Sequence, residues 1–591
     1  MISPVPYDRS FPAPIPISAI ELGTACAWVL AGLFLSVGVV GHDPWKPDEG
    51  YVFGVILDSL RSGQWTIPTL AGEPFLEKPP LYYILGSLCA RLAQPWLALH
   101  DGARLASLLS NGITLAFVGL SAQRVWGRGA AATGALLFAG SLGFVLVART
   151  MLPDLSMLSG VAIAFLGLLR LRDEGRSPGL LFGTGCGIAF LSKGLVGPGM
   201  LTLAAAYVVV RAPASDRPQL LRTLGLAALA ALPWCAVWPA LLLHADPAAF
   251  HTWFWDNNIG RFTGTSVDKL GAAAPPGFWW HTLPWYALPA LPLAALALAS
   301  HVEPCDASAI TACLAAVGGM VIVLLLSASA RENYALPLLV PIAVLGVGGL
   351  RALGDVAERR IAALVLGLFA TAALWLVALW LFRDSAAPFV PGSALLARHV
   401  PVAMDFADSR WMQLLGLTAT LAAVAVLALT CARRALHWLP MAWLTGVTLV
   451  LGIAYTLWLP WLEASKSYRA PIVSMQSTLP TGFDCMASEA LGESERAMLE
   501  YVAGIRTTRR EAQPDAACSL LLVQMRTAAD AAVPTPPGWV EMWRGRRAAE
   551  RYDEFRLLRR ASPSASPALG HHALPVHRAR IRRGSHMRRT A

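Results

Sequence analysis

The chain has 591 residues, of which 55% are hydrophobic and only 14% are charged, and its mean hydropathy is +0.53. Soluble domains carry about a quarter charged residues, so this composition excludes an ordinary soluble enzyme and predicts an all-α polytopic membrane protein. The net charge of +10 falls largely in basic loops and in the C-terminal tail. It therefore gives no reason to expect nucleic acid binding.

The apolar runs of the chain predict thirteen membrane-spanning helices, because a spanning helix needs about 20 largely apolar residues. The predicted spans are 17–40, 102–122, 129–147, 155–170, 178–191, 195–210, 221–243, 281–300, 308–327, 335–350, 361–382, 411–431 and 439–461. The stretch 81–99 is either another span or a helix that lies at the membrane interface.

Basic residues set the predicted orientation, since short cytoplasmic loops are rich in Lys and Arg. They fall on one side of the alternating spans: Arg124, Arg128, Arg170, Arg172, Arg176, Arg211, Arg217, Arg222, Arg351, Arg359, Arg360, Arg433 and Arg434. That side is the predicted cytoplasmic face. The first apolar segment is longer than the core of a cleaved signal peptide and is expected to be retained. Thirteen spans then place everything after residue 462 outside the cytoplasm.

The chain divides into three predicted regions. Residues 1–462 form the transmembrane domain, with 41–100 as a first outer loop that carries interfacial helices. Residues 463–560 lose the long apolar runs and predict a small extracytoplasmic α/β domain. Residues 561–591 are rich in Pro, Ser, His and Arg and predict a disordered basic tail.

Within 463–560, the pattern predicts a helix near 492–504 and strands near 519–524 and 538–543. Cys485 and Cys518 are the two cysteines outside the membrane region. They could form a disulfide in an oxidising compartment, but two cysteines alone leave the pairing open.

The polar residues with chemical potential fall in five separate loops on the predicted outer side. These residues are Asp48, Glu49, Glu77, Lys78, Arg149, Asp154, Lys193, Asp256, Arg261 and Tyr334. Transporters tend to place ionisable groups near the middle of the membrane. A cluster at one outer face fits an active site better than a transport path.

Each of these residues also has a structural interpretation. Asp48-Glu49 could cap a helix over 48–62, since acids favour helix N-termini, and Asp154 could be an N-cap. Glu77-Lys78 could be a salt bridge that closes a loop. Arg149, Lys193, Arg261 and Tyr334 could anchor helix ends or loops at the interface.

The motif order resembles the polytopic lipid-dependent glycosyltransferases of the GT-C fold, a superfamily that includes protein mannosyltransferases, and within it the bacterial aminoarabinose transferases that modify lipid A. The residues that carry the resemblance are Asp48-Glu49, Glu77-Lys78-Pro79-Pro80-Leu81, Ala148-Arg149 with Asp154, Lys193-Gly194, Arg261-Phe262 and Tyr334-Ala335-Leu336-Pro337. The chain departs from that family pattern at Gly50-Tyr51-Val52, at Phe75 and at Trp255-Asp256-Asn257-Asn258. These departures leave the identity of the sugar and of the acceptor open.

The resemblance implies a sugar donor linked to undecaprenyl phosphate. It implies catalytic roles for Asp48, Glu49 and Asp154. Substrate binding would fall to Glu77, Lys78, Arg149, Lys193, Arg261 and Tyr334. No cofactor is required by the resemblance, although Glu77 and Asp256 could hold a divalent metal ion through oxygen ligands.

The implied product is lipid A carrying an amino sugar, either 4-amino-4-deoxy-L-arabinose or a hexosamine. A monomer is expected in the bacterial inner membrane, with the active site and the C-terminus in the periplasm. Two alternatives stay open at this point. One is a mannosyltransferase-like enzyme of the same fold that acts on protein or another glycan, and the other is a membrane transporter.

Overall fold

A computed structural model of the chain describes residues 17–270, 273–300, 302–382, 410–432, 437–527, 530, 532–548, 550 and 553–561. The predicted tail 561–591 lies outside this part of the chain, apart from Ala561. The helices of the first half are α1 (Ile17–Ser36), α2 (Glu49–Ser62), α3 (Leu81–Ala93), α4 (Leu99–Trp126), α5 (Ala130–Ala139), α6 (Leu142–Val147), α7 (Pro153–Leu169), α8 (Ser177–Lys193), α9 (Val196–Arg211) and α10 (Arg217–Ala245).

The second half continues the helical bundle. Its elements are α11 (Pro247–His251), a π-helix (Thr252–Gly260), α12 (Arg261–Thr263), α13 (Val267–Leu270), α14 (Phe278–Tyr286), α15 (Ala290–Ala299), α16 (Ala307–Leu326), a 3-10 helix (Glu332–Leu338), α17 (Leu339–Leu353), α18 (Asp355–Leu381), α19 (Arg410–Ala432), α20 (Trp438–Ala454) and α21 (Leu459–Lys466). A two-stranded hairpin, β1 (Thr69–Leu70) with β2 (Glu73–Pro74), lies in the first loop.

Small residues bring α7 and α8 into close contact. A Cβ added at Gly160 would lie 2.5 Å from the backbone nitrogen of Ala189, and one added at Gly185 would lie 2.3 Å from that of Ala164. Helices inside a membrane pack by such close backbone approach, because there is no hydrophobic gain from burying apolar faces in lipid. The chain uses this contact to hold together two helices whose ends carry Asp154 and Lys193.

Counted by helix length, the described residues contain fewer membrane spans than the apolar pattern predicts. Among the described residues, six helices are long and apolar enough to cross a membrane, or eight if each of two bent helix pairs is one span. The count of thirteen stays a prediction, since shorter apolar helices add to these. Helix α3 has 13 residues, or about 20 Å at 1.5 Å per residue. That length supports an interfacial helix over an extra span.

Three predicted spans are broken rather than continuous. The segment 129–147 is divided between α5 and α6, α14 and α15 meet at 90°, and α20 and α21 meet at 71°. Pro289 lies between α14 and α15 and Pro460 begins α21. Proline lacks the backbone donor that a continuous helix needs, and hydropathy alone does not register such a break.

Helix α4 shows how the two ends of the bundle differ. At its C-terminal end, Arg124 bonds Asp173 at 2.7 Å and Asp306 at 2.9 Å, and Arg351 donates to the carbonyl of Trp126. Four of the predicted cytoplasmic loops therefore meet there. The other end of α4 lies about 40 Å away, since the helix has 28 residues at about 1.5 Å each. It contacts the first loop.

The last part of the chain forms a five-stranded mixed sheet in the order β4-β3-β5-β7-β6. The strands are β3 (Met486–Glu489), β4 (Thr507–Arg509), β5 (Leu520–Met525), β6 (Trp539–Arg546) and β7 (Glu554–Arg560), with helices α22 (Arg469–Gln476) and α23 (Glu493–Ala503). We call residues 469–560 the sheet region. The predicted helix and both predicted strands are present, whereas β3, β4 and β7 were not predicted. Cys485 and Cys518 form a disulfide.

Ion pairs fasten the sheet region to the first loop. Arg469 binds Asp43 in a bidentate pair with contacts as short as 2.5 Å, and Arg506 bonds Asp58 at 2.5 Å. Arg496 bonds Glu73 on β2 at 2.9 Å. Helix α23 therefore packs along α2, and the two segments enclose a polar space between them.

Candidate functional site

Asp48 lies where the first loop enters α2, and its side chain makes no capping hydrogen bond. The cap interpretation is therefore not supported. Burial raises the pKa of Asp48 above its ordinary value, Asp154 raises it further, and Arg331, Lys78 and Lys193 act in the opposite direction. Asp48 thus lies in the combined field of charges from four other segments of the chain.

Glu77 and Lys78 form an ion pair of 3.3 Å, and Arg261 reaches the same carboxylate at 2.8 Å. Burial alone would raise the pKa of Glu77, but Lys78 and Arg261 lower it to about 2. Asn257 also lies 3.4 Å from Arg261. Residues separated by 184 positions in sequence therefore form one charged group, as the common side of their loops predicts.

Asp154 and Lys193 form a buried ion pair between the start of α7 and the end of α8. Helix α7 has Leu152 as its N-cap, so the interpretation of Asp154 as an N-cap is wrong. The ammonium of Lys193 lies 4.3 Å from the ring centroid of Tyr334. Lys193 and Tyr334 therefore contact each other inside the protein and are not free anchors at a membrane surface.

A small inner cavity of about 50 Å³ is lined by Lys193, Tyr334 and the charged group of Glu77, Lys78 and Arg261. Its polar side is formed by Glu77, Lys78, Lys193, Asn257, Asn258, Arg261, Ser327, Ser329 and Tyr334. Its apolar side is formed by Met157, Val196, Phe262, Val323 and Leu324. The inner cavity thus combines three cationic side chains with a hydrophobic wall, which is the combination that an anionic lipid headgroup and its chain require.

A wider outer cleft of about 470 Å³ opens above, and Glu77 lines both spaces. One wall comes from the first loop, with Lys46, Pro47, Asp48 and Tyr51, and from Arg331. The other wall comes from the sheet region and from Tyr468, which precedes it. The residues of the sheet region in this wall are Gly492, Glu493, Ser494, Glu495, Gln524, Arg526 and Asp553. Arg331 and the whole second wall are site features that the sequence did not single out.

Glu49 does not face either space. It is 2% exposed, and its carboxylate accepts from Arg104 Nε at 2.8 Å and from the backbone nitrogens of Trp45 and Met151. Arg104 is itself fully buried and also donates to the carbonyls of His42 and Asp43. The predicted catalytic role of Glu49 is therefore corrected to a positioning role for the turn that carries Asp48.

Arg104 is the partner that sequence reasoning missed. It lies near the start of the second predicted span, where a charge is costly unless it is paired. That cost was the available signal, because a buried Arg requires a carboxylate close by; Asp101 and Glu49 both pair with Arg104, each at 2.8 Å.

Arg149 also lies outside the inner cavity and the outer cleft. Its guanidinium donates to the carbonyls of Val37 at 2.6 Å and Phe34 at 2.5 Å, and it lies 4.5 Å from the ring centroid of Phe34. The group is buried with these donors already used. The predicted substrate-binding role is corrected to one of holding the end of α1.

The predicted metal pair does not form a metal site. The oxygens of Glu77 are engaged by Lys78 and Arg261, and Asp256 on the π-helix is half-exposed with His251 at 4.0 Å. Among the residues that the structure describes, no group of three or more His, Cys, Asp or Glu is arranged to hold a metal ion. These residues do not fit a divalent ion.

Comparison with known proteins points to one class of membrane transferase. Residues 77–238 match the family model of dolichyl-phosphate-mannose-protein mannosyltransferases. The matched segment holds Glu77, Lys78 and Lys193, which line the inner cavity, and Asp154, which pairs with Lys193.

Particular relatives carry a more specific name. The chain is 28% identical over 251 residues to an undecaprenyl phosphate-alpha-4-amino-4-deoxy-L-arabinose arabinosyl transferase of Pseudomonas savastanoi pv. phaseolicola. The matched stretch covers 41% of this chain and 44% of the relative. It is 29% identical over 272 residues to such a transferase of Pseudomonas fluorescens, which covers 43% and 45% respectively. The chain therefore spans less than half the length of these two curated relatives. The predicted resemblance to aminoarabinose transferases is confirmed.

The fold is shared with a solved structure over nearly the whole chain. ArnT from Cupriavidus metallidurans, crystallised with undecaprenyl phosphate, superposes with a TM-score of 0.64 over 94% of this chain and 100% of that one, at 17% identity. The mostly helical fold that the sequence predicts is thereby confirmed, and it is the fold of this structure.

Proposed function

We propose that the protein transfers an amino sugar from undecaprenyl phosphate to lipid A on the periplasmic face of the bacterial inner membrane. The observation that carries the proposal is the inner cavity, where Lys78, Lys193 and Arg261 face an apolar wall and open toward Asp48. The relatives named above as arabinosyl transferases support 4-amino-4-deoxy-L-arabinose as the sugar.

The inner cavity suits the donor. A polyprenyl phosphate needs cations for its headgroup and apolar surface for its chain. The walls formed by Val196, Val323 and Leu324 offer that surface beside the cations. Cations that bind the leaving phosphate more tightly as its charge builds lower the barrier to transfer.

The chemistry follows from these positions. The acceptor oxygen bonds to the anomeric carbon of the sugar, the bond from that carbon to the phosphate oxygen breaks, and undecaprenyl phosphate leaves as an anion held by Lys78, Lys193 and Arg261. Asp48 takes the proton of a hydroxyl acceptor or stabilises the positive sugar when the acceptor is an ionised phosphate. Asp154 positions Lys193, and Tyr334 packs against that ammonium.

The same proposal includes the arrangement of the whole chain. Residues 1–462 would be the transmembrane catalytic domain, residues 463–560 a periplasmic α/β domain, and the enzyme a monomer. Nucleotide sugars are absent from the periplasm, so a donor used there must be carried across the membrane on a lipid.

Mass spectrometry of lipid A from wild-type and deletion cells tests the proposal. The expected result is loss of an amino-sugar mass in the deletion strain and its return with the wild-type gene but not with Asp48→Asn. Unchanged lipid A in the deletion strain would contradict it.

The family model matched by residues 77–238 favours one second candidate, a transferase of the same fold that glycosylates protein. In that case the deletion strain would show an altered glycoprotein profile with unchanged lipid A. A transporter is less well supported, because the charged groups gather where the loops meet and line a cavity next to an open cleft.

A further inference from the structure

The outer cleft carries carboxylates on both walls, and most of them already have partners. Glu77 is paired with Lys78 and Arg261. Asp553 accepts from Arg547 at 2.9 Å and from Gln524 at 2.6 Å. These groups are therefore compensated before any ligand enters.

Glu493 differs from these acids. It is the first residue of α23, its side chain is exposed to the cleft, and it makes no hydrogen bond or ion pair with any residue the structure describes. Its charge interacts with those of Glu77, Arg496, Lys78 and Arg509. Glu493 therefore lies within electrostatic reach of Glu77, the residue that lines both spaces.

The position of Glu493 relative to Asp48 is fixed by the residues next to each. Ser494 Oγ donates to the carbonyl of Pro47 at 2.8 Å. A Cβ on Gly50 would lie only 2.8 Å from the Cβ of Ser494. Asp48 and Glu493 thus line the same cleft from two walls, on elements in direct contact, and neither makes a direct ion pair with a residue that the structure describes.

A sugar attached to a phosphate in the inner cavity would extend into this cleft. Two facing carboxylates repel each other when the space between them holds a neutral group. A cation between them removes the repulsion and receives charge-assisted hydrogen bonds, which are about twice as strong as neutral ones.

We propose that Glu493, supplied by the sheet region, is a specificity-determining residue that binds the ammonium group of the transferred sugar together with Asp48. The inference rests on the proposed function and goes beyond it by assigning sugar selection to a residue far from the shared motifs. It also gives the sheet region a direct part in substrate recognition.

The test uses the full-length protein in membranes with two synthetic donors, undecaprenyl phosphate bearing the amino sugar and the same donor with its amine acetylated. Glu493→Gln keeps the shape of the side chain and removes its charge. Asp515→Asn is the matched control, because Asp515 is an exposed acid of the sheet region that does not line the cleft.

The wild type and Asp515→Asn are expected to prefer the free-amine donor. Glu493→Gln is expected to raise the KM for that donor about tenfold, the size of one charge-assisted contact, with little change for the acetylated donor. An unchanged donor ratio in Glu493→Gln, in an enzyme that transfers the amino sugar, would overturn the inference and leave the proposed function standing. Transfer of neither donor by the wild type would instead contradict the proposed function, and the inference with it.

Discussion

Asp48 faces Arg331, Lys78, Lys193 and Asp154 at the mouth of the outer cleft, so its charge state is set by groups from four other segments. Single residues in such a position act on charge during the reaction, while contributing little to the fold because they are partly accessible.

Asp48→Asn and Lys78→Ala are each expected to abolish transfer, with a loss of at least 100-fold, the scale of a lost acid–base or electrostatic group. Expression and thermal unfolding should stay near wild type. In vitro transfer to purified lipid A measures the activity of each variant, and a melting curve measures its thermal stability. If either variant keeps its activity, the residue that was changed has a structural role.

The rate should fall with decreasing pH. Asp48 must be ionised both as a base and as a stabiliser of positive charge, and burial raises its pKa above the ordinary value of an aspartate. Its ionised fraction, and with it kcat/KM, therefore drops about tenfold per pH unit below that raised pKa. Glu77, with a pKa of about 2, stays ionised throughout.

A profile of kcat/KM between pH 4 and pH 8 measures this dependence. The residual activity of Asp48→Asn serves as the control and should lack the acid limb. A flat wild-type profile down to pH 4 would exclude an essential Asp48 carboxylate.

Arg104→Met is expected to destabilise the protein by about 3–5 kcal/mol, because it leaves the buried carboxylate of Glu49 without its cation. The double variant Glu49→Gln/Arg104→Met should recover part of this loss. Gln removes the charge and keeps an acceptor for the backbone nitrogens of Trp45 and Met151. Unfolding curves in detergent compare the two, and an equal loss in both would argue against the ion pair as the cause.

At the scale of elements, the packing of α2 against α23 decides the shape of the outer cleft. A Cβ added at Gly54 would lie 2.4 Å from the Cβ of Ala497, which is 1% exposed. Close approach of these two helices therefore depends on a residue without a side chain.

Gly54→Ala should destabilise the contact by about 1–3 kcal/mol through overpacking and lower transfer by displacing Glu493 relative to Asp48. Gly54→Ala/Ala497→Gly places the methyl group on the other helix and should restore both properties. Gly225→Ala is the control, since a Cβ there meets nothing within 4 Å. Thermal unfolding and transfer assays read the outcome, and failure of the double variant to recover would show that the contact does not govern the cleft.

At the scale of the whole molecule, the two ends of the bundle have different chemistry. Arg124, Asp173 and Asp306 gather at one end, and the charged cavity and cleft at the other. The positive-inside rule predicts that the first end, with its basic loops, lies in the cytoplasm.

Cys305 is an exposed free cysteine next to Asp306 and reports on that orientation. A membrane-impermeant maleimide should label it in inverted vesicles and leave it unlabelled in intact spheroplasts. Cys305→Ser supplies the background. Labelling of Cys305 in intact spheroplasts would reverse the proposed topology.

The sequence by itself determined the class of the protein and most of the residues that meet in the inner cavity. Apolar runs register burial in lipid directly, and the alternation of loops assigns a side to each polar motif, so Glu77, Lys78, Lys193, Arg261 and Tyr334 could be grouped without coordinates. It also located the helix and two of the strands of the sheet region, because these follow local periodicity.

Only the tertiary structure decided which charged groups are free. Glu49 and Arg149 carry the same charges as the cavity residues, but their partners are Arg104 and backbone carbonyls at the end of α1. Likewise, Ser494 meets Pro47 across more than 400 residues of chain, and that contact brings the start of α23 against the turn that carries Asp48. Pairing over such separations depends on how helices pack in three dimensions, and no local pattern of residue types encodes it.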